Sequence, residues 1–374
     1  MAFKMIGSKR VTVVGAVLAL ALLVSTAAAQ YSRAPFFEQT LVQSQGYGLQ
    51  LSLQRLDALE LAAEEGEALD DDFLEIVEGF EEDLPRFVGT LRARDAALAG
   101  ELEEAIEALE EAGTATSGMD AAIAEARDLL NRAYDVVIPA DVRADPVFIA
   151  GVIVNLSLGE GGVGEGYEEA IEGELGEFTM GYAATQRVID LWSEIAGGAD
   201  EQQRADVEEM LDYVRTLYPE PIIEEAIVGN PEEAEAPVQR MLGVLETVVD
   251  AELFAGRDLA ALAAHLPEEL AGACQAYEAG ESERAKEIAI GVGGLYLGAD
   301  LGDFLEFMAP DVHEEASELI GALTGMAGEG DEDEEGGEEA EGDDEEETAV
   351  VEDPTTACRE LLEALQEASS VLGG

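Results

Sequence analysis

Along nearly the whole chain, leucine and alanine recur at the spacing of an α-helix while glutamate and aspartate fill the positions between them. That pattern leaves few folds open, because one apolar stripe can be buried only if the acids all face water. Leu49, Leu51, Leu53, Leu56, Leu59 and Leu61, with Ala62 and Ala63, make a stripe wide enough for a buried helix. Phe73 to Leu84, Arg94 to Glu111, Met119 to Val137, Glu165 to Ile195 and Glu201 to Leu217 repeat the pattern between Gly, Pro and Asp clusters. Further helices are expected over about 237–255, 258–279, 281–298 and 299–323, with Pro219, Pro221, Pro231 and Pro237 marking turns or a domain boundary. The fold class expected is all-α: up-down helical bundles, with a helical domain over 30–217 and a second unit over 218–327 packed on it.

Charge narrows the function classes. The 374 residues hold 84 acids and 19 Lys+Arg, a formal charge of −65, which is the wrong sign for gripping phosphate backbones or anionic lipid. Nucleic acid is therefore not an expected partner; metal cations or another envelope protein are. With 47% hydrophobic residues there is enough apolar material for a core.

The N-terminus has the pattern of an export signal. Lys4, Lys9 and Arg10 precede an apolar run from Val11 to Val24, and Ala27-Ala28-Ala29 offers a small-residue cleavage site before Gln30. An uncleaved anchor is the competing reading, since Val11 to Ala29 approaches a bilayer's span; only then would the membrane be a partner. The expected location is exported, extracellular or at the cell surface. Beyond residue 29 Lys286 is the one lysine among sixteen cations. Lysine depletion with an acidic surface resembles proteins of extreme halophiles, where salt shortens electrostatic repulsion to a few ångströms. A cation store has a similar composition.

Residues 329–347 hold fourteen acids in nineteen positions. A self-repelling acidic linker over 328–353 is expected, followed by a C-terminal amphipathic helix over 354–374. Cys274 and Cys358 are the only cysteines. In an exported chain they can pair, tying the last helix across the linker, or remain two separately buried thiols.

Two stretches echo others. Asp83 to Leu109 can be laid on Asp303 to Leu323, and Gly46-Tyr47 with Gln54-Arg55 on Gly181-Tyr182 with Gln186-Arg187, which suggests duplicated helical units although the spacings differ.

Candidate sites are carboxylate sets. Glu165, Glu169 and Glu172 fall at i, i+4 and i+7 with Glu168 beside them, the best arrangement for hard cations such as Ca²⁺ or Fe³⁺. A solvated acidic face has the same spacing. Glu78 and Glu81, with Glu75 and Glu82, and Asp300 and Asp303, with Glu306 near His313, are weaker sets. His265, before Leu266-Pro267, reads as a helix-end residue. The Gly159–Gly166 run GEGGVGEG lacks the lysine of a phosphate loop and reads as a turn. Asp331 to Gly336 opens like a calcium loop, but Gly342 and Glu338 stand where its bidentate acid and apolar residue belong. Asn155-Leu156-Ser157 is a glycosylation sequon inside an apolar run. No nucleophile–base signature is legible, so an enzyme is not expected.

Glu78-Gly79-Phe80-Glu81, followed by Leu91-Arg92-Ala93-Arg94-Asp95-Ala96-Ala97-Leu98, resembles a pattern in the extracytoplasmic helical domain that precedes the membrane part of bacterial ferric-iron permeases. Ala276-Tyr277-Glu278-Ala279-Gly280-Glu281 and Tyr296-Leu297 look like other pieces of it. The spacing between the first two pieces is about one helical turn longer than in that family, and the family's Arg-Glu-x-x-Glu transmembrane helices are absent. The resemblance implies an all-helical periplasmic-type domain associated with iron uptake, and no transport residue carries over. Two functions are therefore expected to compete: a cation-binding accessory, with iron as one candidate, and a non-catalytic surface or scaffold protein whose helices bind another protein.

Overall fold

A computed structural model describes residues 35–63, 71–113, 115, 118–159, 161–223, 225–251, 253, 259–297, 301–324 and 353–373. The signal segment, Asp300 and all of the acidic linker before Asp353 lie outside them. The described residues are helical, without strands, and form an all-α bundle. In chain order the helices are α1 (Pro35–Ala63), α2 (Asp71–Glu78), α3 (Phe80–Asp83), a 3-10 turn (Leu84–Arg86), α4 (Val88–Arg94), α5 (Ala96–Gly113), α6 (Met119–Val137), α7 (Ala140–Arg143), α8 (Pro146–Leu158), α9 (Val163–Glu172) and α10 (Leu175–Ile195). After these come α11 (Glu201–Leu217), α12 (Glu232–Val249), α13 (Leu259–Glu278), α14 (Ser282–Leu297), α15 (Leu301–Met308), α16 (Pro310–Thr324) and α17 (Pro354–Gly373).

α1 runs through the middle of the first body and packs on α6, α8 and α10. Its leucines at 49, 51, 53, 56 and 59 are all buried, so the mixed spacing reflects a helix covered on several sides rather than one stripe. α8 is apolar all round for the same reason: it lies against α1, α10 and α12. It joins α9 in the one stretch of described residues long and apolar enough to cross a membrane, and 82% of that stretch's most apolar window is buried by protein. Ser157 of the sequon is fully buried there, so Asn155 does not present an accessible acceptor sequence.

Several expected boundaries shift for local reasons. The helix expected over Glu165 to Ile195 is two helices, because Gly173 takes φ +111°, a left-handed conformation that ends α9. The stretch 299–323 likewise breaks at Ala309, before Pro310. Pro237, expected to mark a turn or boundary, lies inside α12, and Pro267 lies inside α13; both are buried. His265 is thus a mid-helix residue, 3.6 Å from Glu268 on the next turn.

Two apolar cores result. The first takes residues from Tyr47 to Leu245 and therefore includes α12, whose Val238, Met241, Leu242 and Leu245 close over α8, α9 and α11. Of the proline-rich stretch at 218–237, residues 218–231 connect α11 to α12 within that core and the rest begins α12. The second core is built by α13 to α17 together with Leu41 from the start of α1. α14 joins the two, packing on α1, α4 and the 3-10 turn.

α17 seats Ala357, Cys358, Leu361, Ala364, Leu365 and Ala368 against α13 and α16. Burying its two leucines stabilises the seat by about 3–6 kcal/mol. Cys358 is disulfide-bonded to Cys274 in α13 across 84 residues of sequence. Closing so long a loop removes roughly 4–5 kcal/mol of denatured-state entropy in the chain-entropy picture. Replacing both cysteines by serine is expected to lower the unfolding free energy by about 2–4 kcal/mol in urea titrations, as is chemical reduction of the native chain. Equal midpoints for the oxidised, reduced and double-serine forms, or mass mapping that finds both thiols free, would remove this tether.

Candidate functional site

Glu165, Glu168, Glu169 and Glu172 occupy α9, which presents them at the edge of the first core. Glu165, Glu168 and Glu169 are half-buried and Glu172 is exposed. Burial, then the charges of Glu172, Glu168 and Glu174, push the Glu169 carboxyl above its usual range, so these acids crowd one another. They do not close into a coordination shell: among the described residues no three Asp, Glu, His or Cys side chains converge as metal ligands. The same holds for Glu78 and Glu81, both exposed. Their charges reach Glu110 across on α5, whose carboxyl is raised by burial first and then by Glu81, Glu107 and Glu78. The backbone of Asp303 is in α15, and its side chain, like all of Asp300, is outside the described residues. His313 is turned inward: its ring stacks on Tyr296, with Nδ1 3.4 Å from the Tyr296 hydroxyl and Nε2 3.4 Å from that of Ser317.

The glycine-rich run between α8 and α9 is structural. Its Gly161 carbonyl accepts a 2.6 Å hydrogen bond from the Gln54 amide, which also donates to the Met180 carbonyl at 3.1 Å. The two echoing segments are neighbours, since α1 packs on α10, yet their arginines do different work. Arg187 reaches Gln50 at 3.0 Å and Asp57 at 2.6 Å, both on α1.

Arg55 instead points to α3. Its Nε donates to Asp83 at 2.9 Å, and Nη1 lies 3.5 Å from the Ile76 carbonyl. Arg55 and Asp83 are 4% and 1% exposed, making an ion pair inside the core. Burial alone would lower the Arg55 pKa, but the charge and hydrogen bond of Asp83, with Glu177 and Glu82 beyond, leave it raised. A Cβ on Gly79 would fall within the guanidinium, so the glycine of Glu78-Gly79-Phe80-Glu81 is fixed by the ion pair. This role is internal packing, and no spacing in the sequence announces it.

The feature on the outside that sequence reading missed is on α15. Leu301 and Leu305 are buried in the second core. Phe304 and Met308, at i+3 and i+7 from Leu301, flank that buried edge and Phe307 points away from it; the three are 37%, 51% and 85% exposed in the order Phe304, Met308, Phe307. Phe307 and Met308 are the most exposed aromatic and the most exposed methionine among the described residues. With Phe304 they expose on the order of 300 Å² of apolar surface, at the lower end of the largest patch a typical monomer carries.

Two measurements separate these features. Asp83→Ala should cost about 3–5 kcal/mol by stranding a buried cation, whereas Arg55→Met with Asp83→Leu should recover most of that loss. A double variant as unstable as the single one would show that the pair's charges are not the cause. Because the folded state raises the Glu169 pKa, ionisation costs more in the fold than in the unfolded chain. Glu169→Gln is therefore expected to raise Tm at neutral pH, and the difference should vanish below about pH 4, where both forms are neutral. A gain that persists in acid would have another origin. Compared with protein-family models, with characterised proteins and with solved structures, the chain matches none.

Proposed function

We propose that this chain is an exported, non-catalytic helical protein that works by binding another protein, with the α15 face as its contact. The observation that carries this reading is the exposure of Phe304, Phe307 and Met308 side by side; among the described residues the other exposed large apolar side chains, Tyr213, Val228 and Val371, stand apart from one another in sequence. Burying such a face on a partner returns the hydrophobic free energy that the monomer forgoes. Export is supported by the signal-like N-terminus and by the Cys274–Cys358 disulfide, a bond of oxidising compartments. The acid surplus then serves solubility in salt and repels nucleic acid and anionic lipid.

The second reading is a cation-binding accessory, for Fe³⁺ or Ca²⁺, using Glu165, Glu168, Glu169 and Glu172. Crowding at Glu169 is what favours it, since a bound cation would relieve the repulsion. The absence of three converging ligands among the described residues weighs against it.

A photo-crosslinking side chain placed at Phe307 is expected to trap a specific protein adduct in envelopes of the native host. The same side chain at Glu209, an exposed position on α11, should not. Equal adducts from both positions, or none from Phe307, would end the protein-binding reading. Saturable binding of Fe³⁺ or Ca²⁺ by calorimetry, lost in Glu169→Gln with Glu172→Gln, would establish the second.

A further inference from the structure

We propose that the occupant of the α15 face is a basic amphipathic helix of the partner protein, an inference that rests on the protein-binding reading and names its chemistry. The apolar strip itself is short and adaptable: Phe304 and Phe307 one turn apart, with the flexible thioether of Met308 beside them, suit the ridge of a helix laid across them. The rim decides the sign of the partner. Glu306 of α15 and Asp311, Glu314 and Glu315 of the next helix, α16, are exposed. From residue 301 to residue 324 there is no lysine or arginine. The only basic side chain of that stretch, His313, faces inward onto Tyr296 and Ser317 rather than the rim. An apolar strip on a stretch whose exposed charges are acidic is complementary to a helix with leucines on one face and arginine or lysine along its flanks.

The same rim argues against the other occupants. A second copy brought face to face would set the acids of α15 and α16 against identical ones, a like-charge juxtaposition that association must overcome. Anionic lipid headgroups meet the same repulsion. High salt changes the balance without reversing it: at about 1 M the rim acts over only ~3 Å, and the apolar strip supplies the part of the affinity that salt leaves intact.

The test uses the full chain and a fluorescent leucine–arginine amphipathic peptide, with a leucine–glutamate peptide of the same pattern as its counterpart. Anisotropy is read at about 0.15 M and about 1 M salt. The native chain should bind the basic peptide and not the acidic one. Phe307→Ser with Met308→Ser should weaken binding by about tenfold or more at both salts. Glu314→Gln with Glu315→Gln should weaken it only at the lower salt. All four positions are exposed, so these variants keep the fold. Binding unchanged by the Phe307/Met308 variant would reduce the effect to unspecific attraction between a cationic peptide and an acidic protein, and would overturn the proposal. So would a dimer dispersed by that variant, or adsorption of phosphatidylcholine vesicles that it abolishes. Adducts trapped at Phe307 with no peptide binding would sink this inference and leave the protein-binding reading standing; neither signal would sink both.

Discussion

The first body is organised around a charge pair almost wholly withdrawn from water. Arg55 leaves the central helix to meet Asp83, and the two are bound to each other, to the Ile76 carbonyl and, through a 3.4 Å contact, to the Ser52 hydroxyl. Taking both ions out of solvent costs several kcal/mol each, and the short contact and added hydrogen bonds are what offset it. The consequence is positional rather than a gain in stability. Any slip of α3 along α1 would strand a charge, so the short α2, α3 and 3-10 segments are held in one register against α1. Gly79 follows from this arrangement, as does the packing of Phe80, fully buried next to it.

Scarcity of cations then shapes the rest of that body. Arg127 of α6 meets Asp57 and Glu60 of α1; Arg187 of α10 shares Asp57. Arg132 joins α6 to Glu101 of α5, Arg92 joins α4 to Glu103 of α5, and Arg143 of α7 pairs with Asp135 of α6. Arg94 donates to the carbonyls of Val136 and Val137 at the end of α6. Each joins two helices. A planar fork with five donors can serve two acceptors at once, as Arg127 does, and a lysine cannot match that geometry. Near-exclusive use of arginine is therefore consistent with interhelical bridging as well as with salt adaptation, and isolated surface pairs among these are each worth little in stability.

What was legible in the sequence was whatever local chemistry decides. α6 and α11 have the limits read from periodicity alone, and α11 starts where Asp200 and Gln203 cap each other reciprocally. Less legible was what depends on neighbours far along the chain. Pro237 and Pro267 look like breaks, yet tertiary packing keeps each inside a helix. Gln54, Ser52 and Arg55 look like surface residues of α1, and only the arrival of Gly161, Met180 and Asp83 makes them interior. The acidic quartet of α9 was correctly placed on one helix, but spacing within a helix cannot tell whether a second element brings ligands to meet it. α15 shows the reverse case: its Phe and Met residues look like core, yet no described helix covers Phe304, Phe307 and Met308.

The two cores differ in how they are held, and that bears on why the exposed face lies where it does. The first is pinned by a buried ion pair and interhelical arginines. In the second, Arg359 of α17 meets Glu278 of α13 beside the disulfide. α13 and α17 are thus fastened covalently where Cys274 meets Cys358, and α16 packs on α17. α15 is an eight-residue helix attached to its core chiefly through Leu301 and Leu305. A short helix on the edge of a covalently fastened core can offer its outer side chains to a partner without loosening the core beneath. The same side chains on α1 or α10 could be reached only by opening the first body.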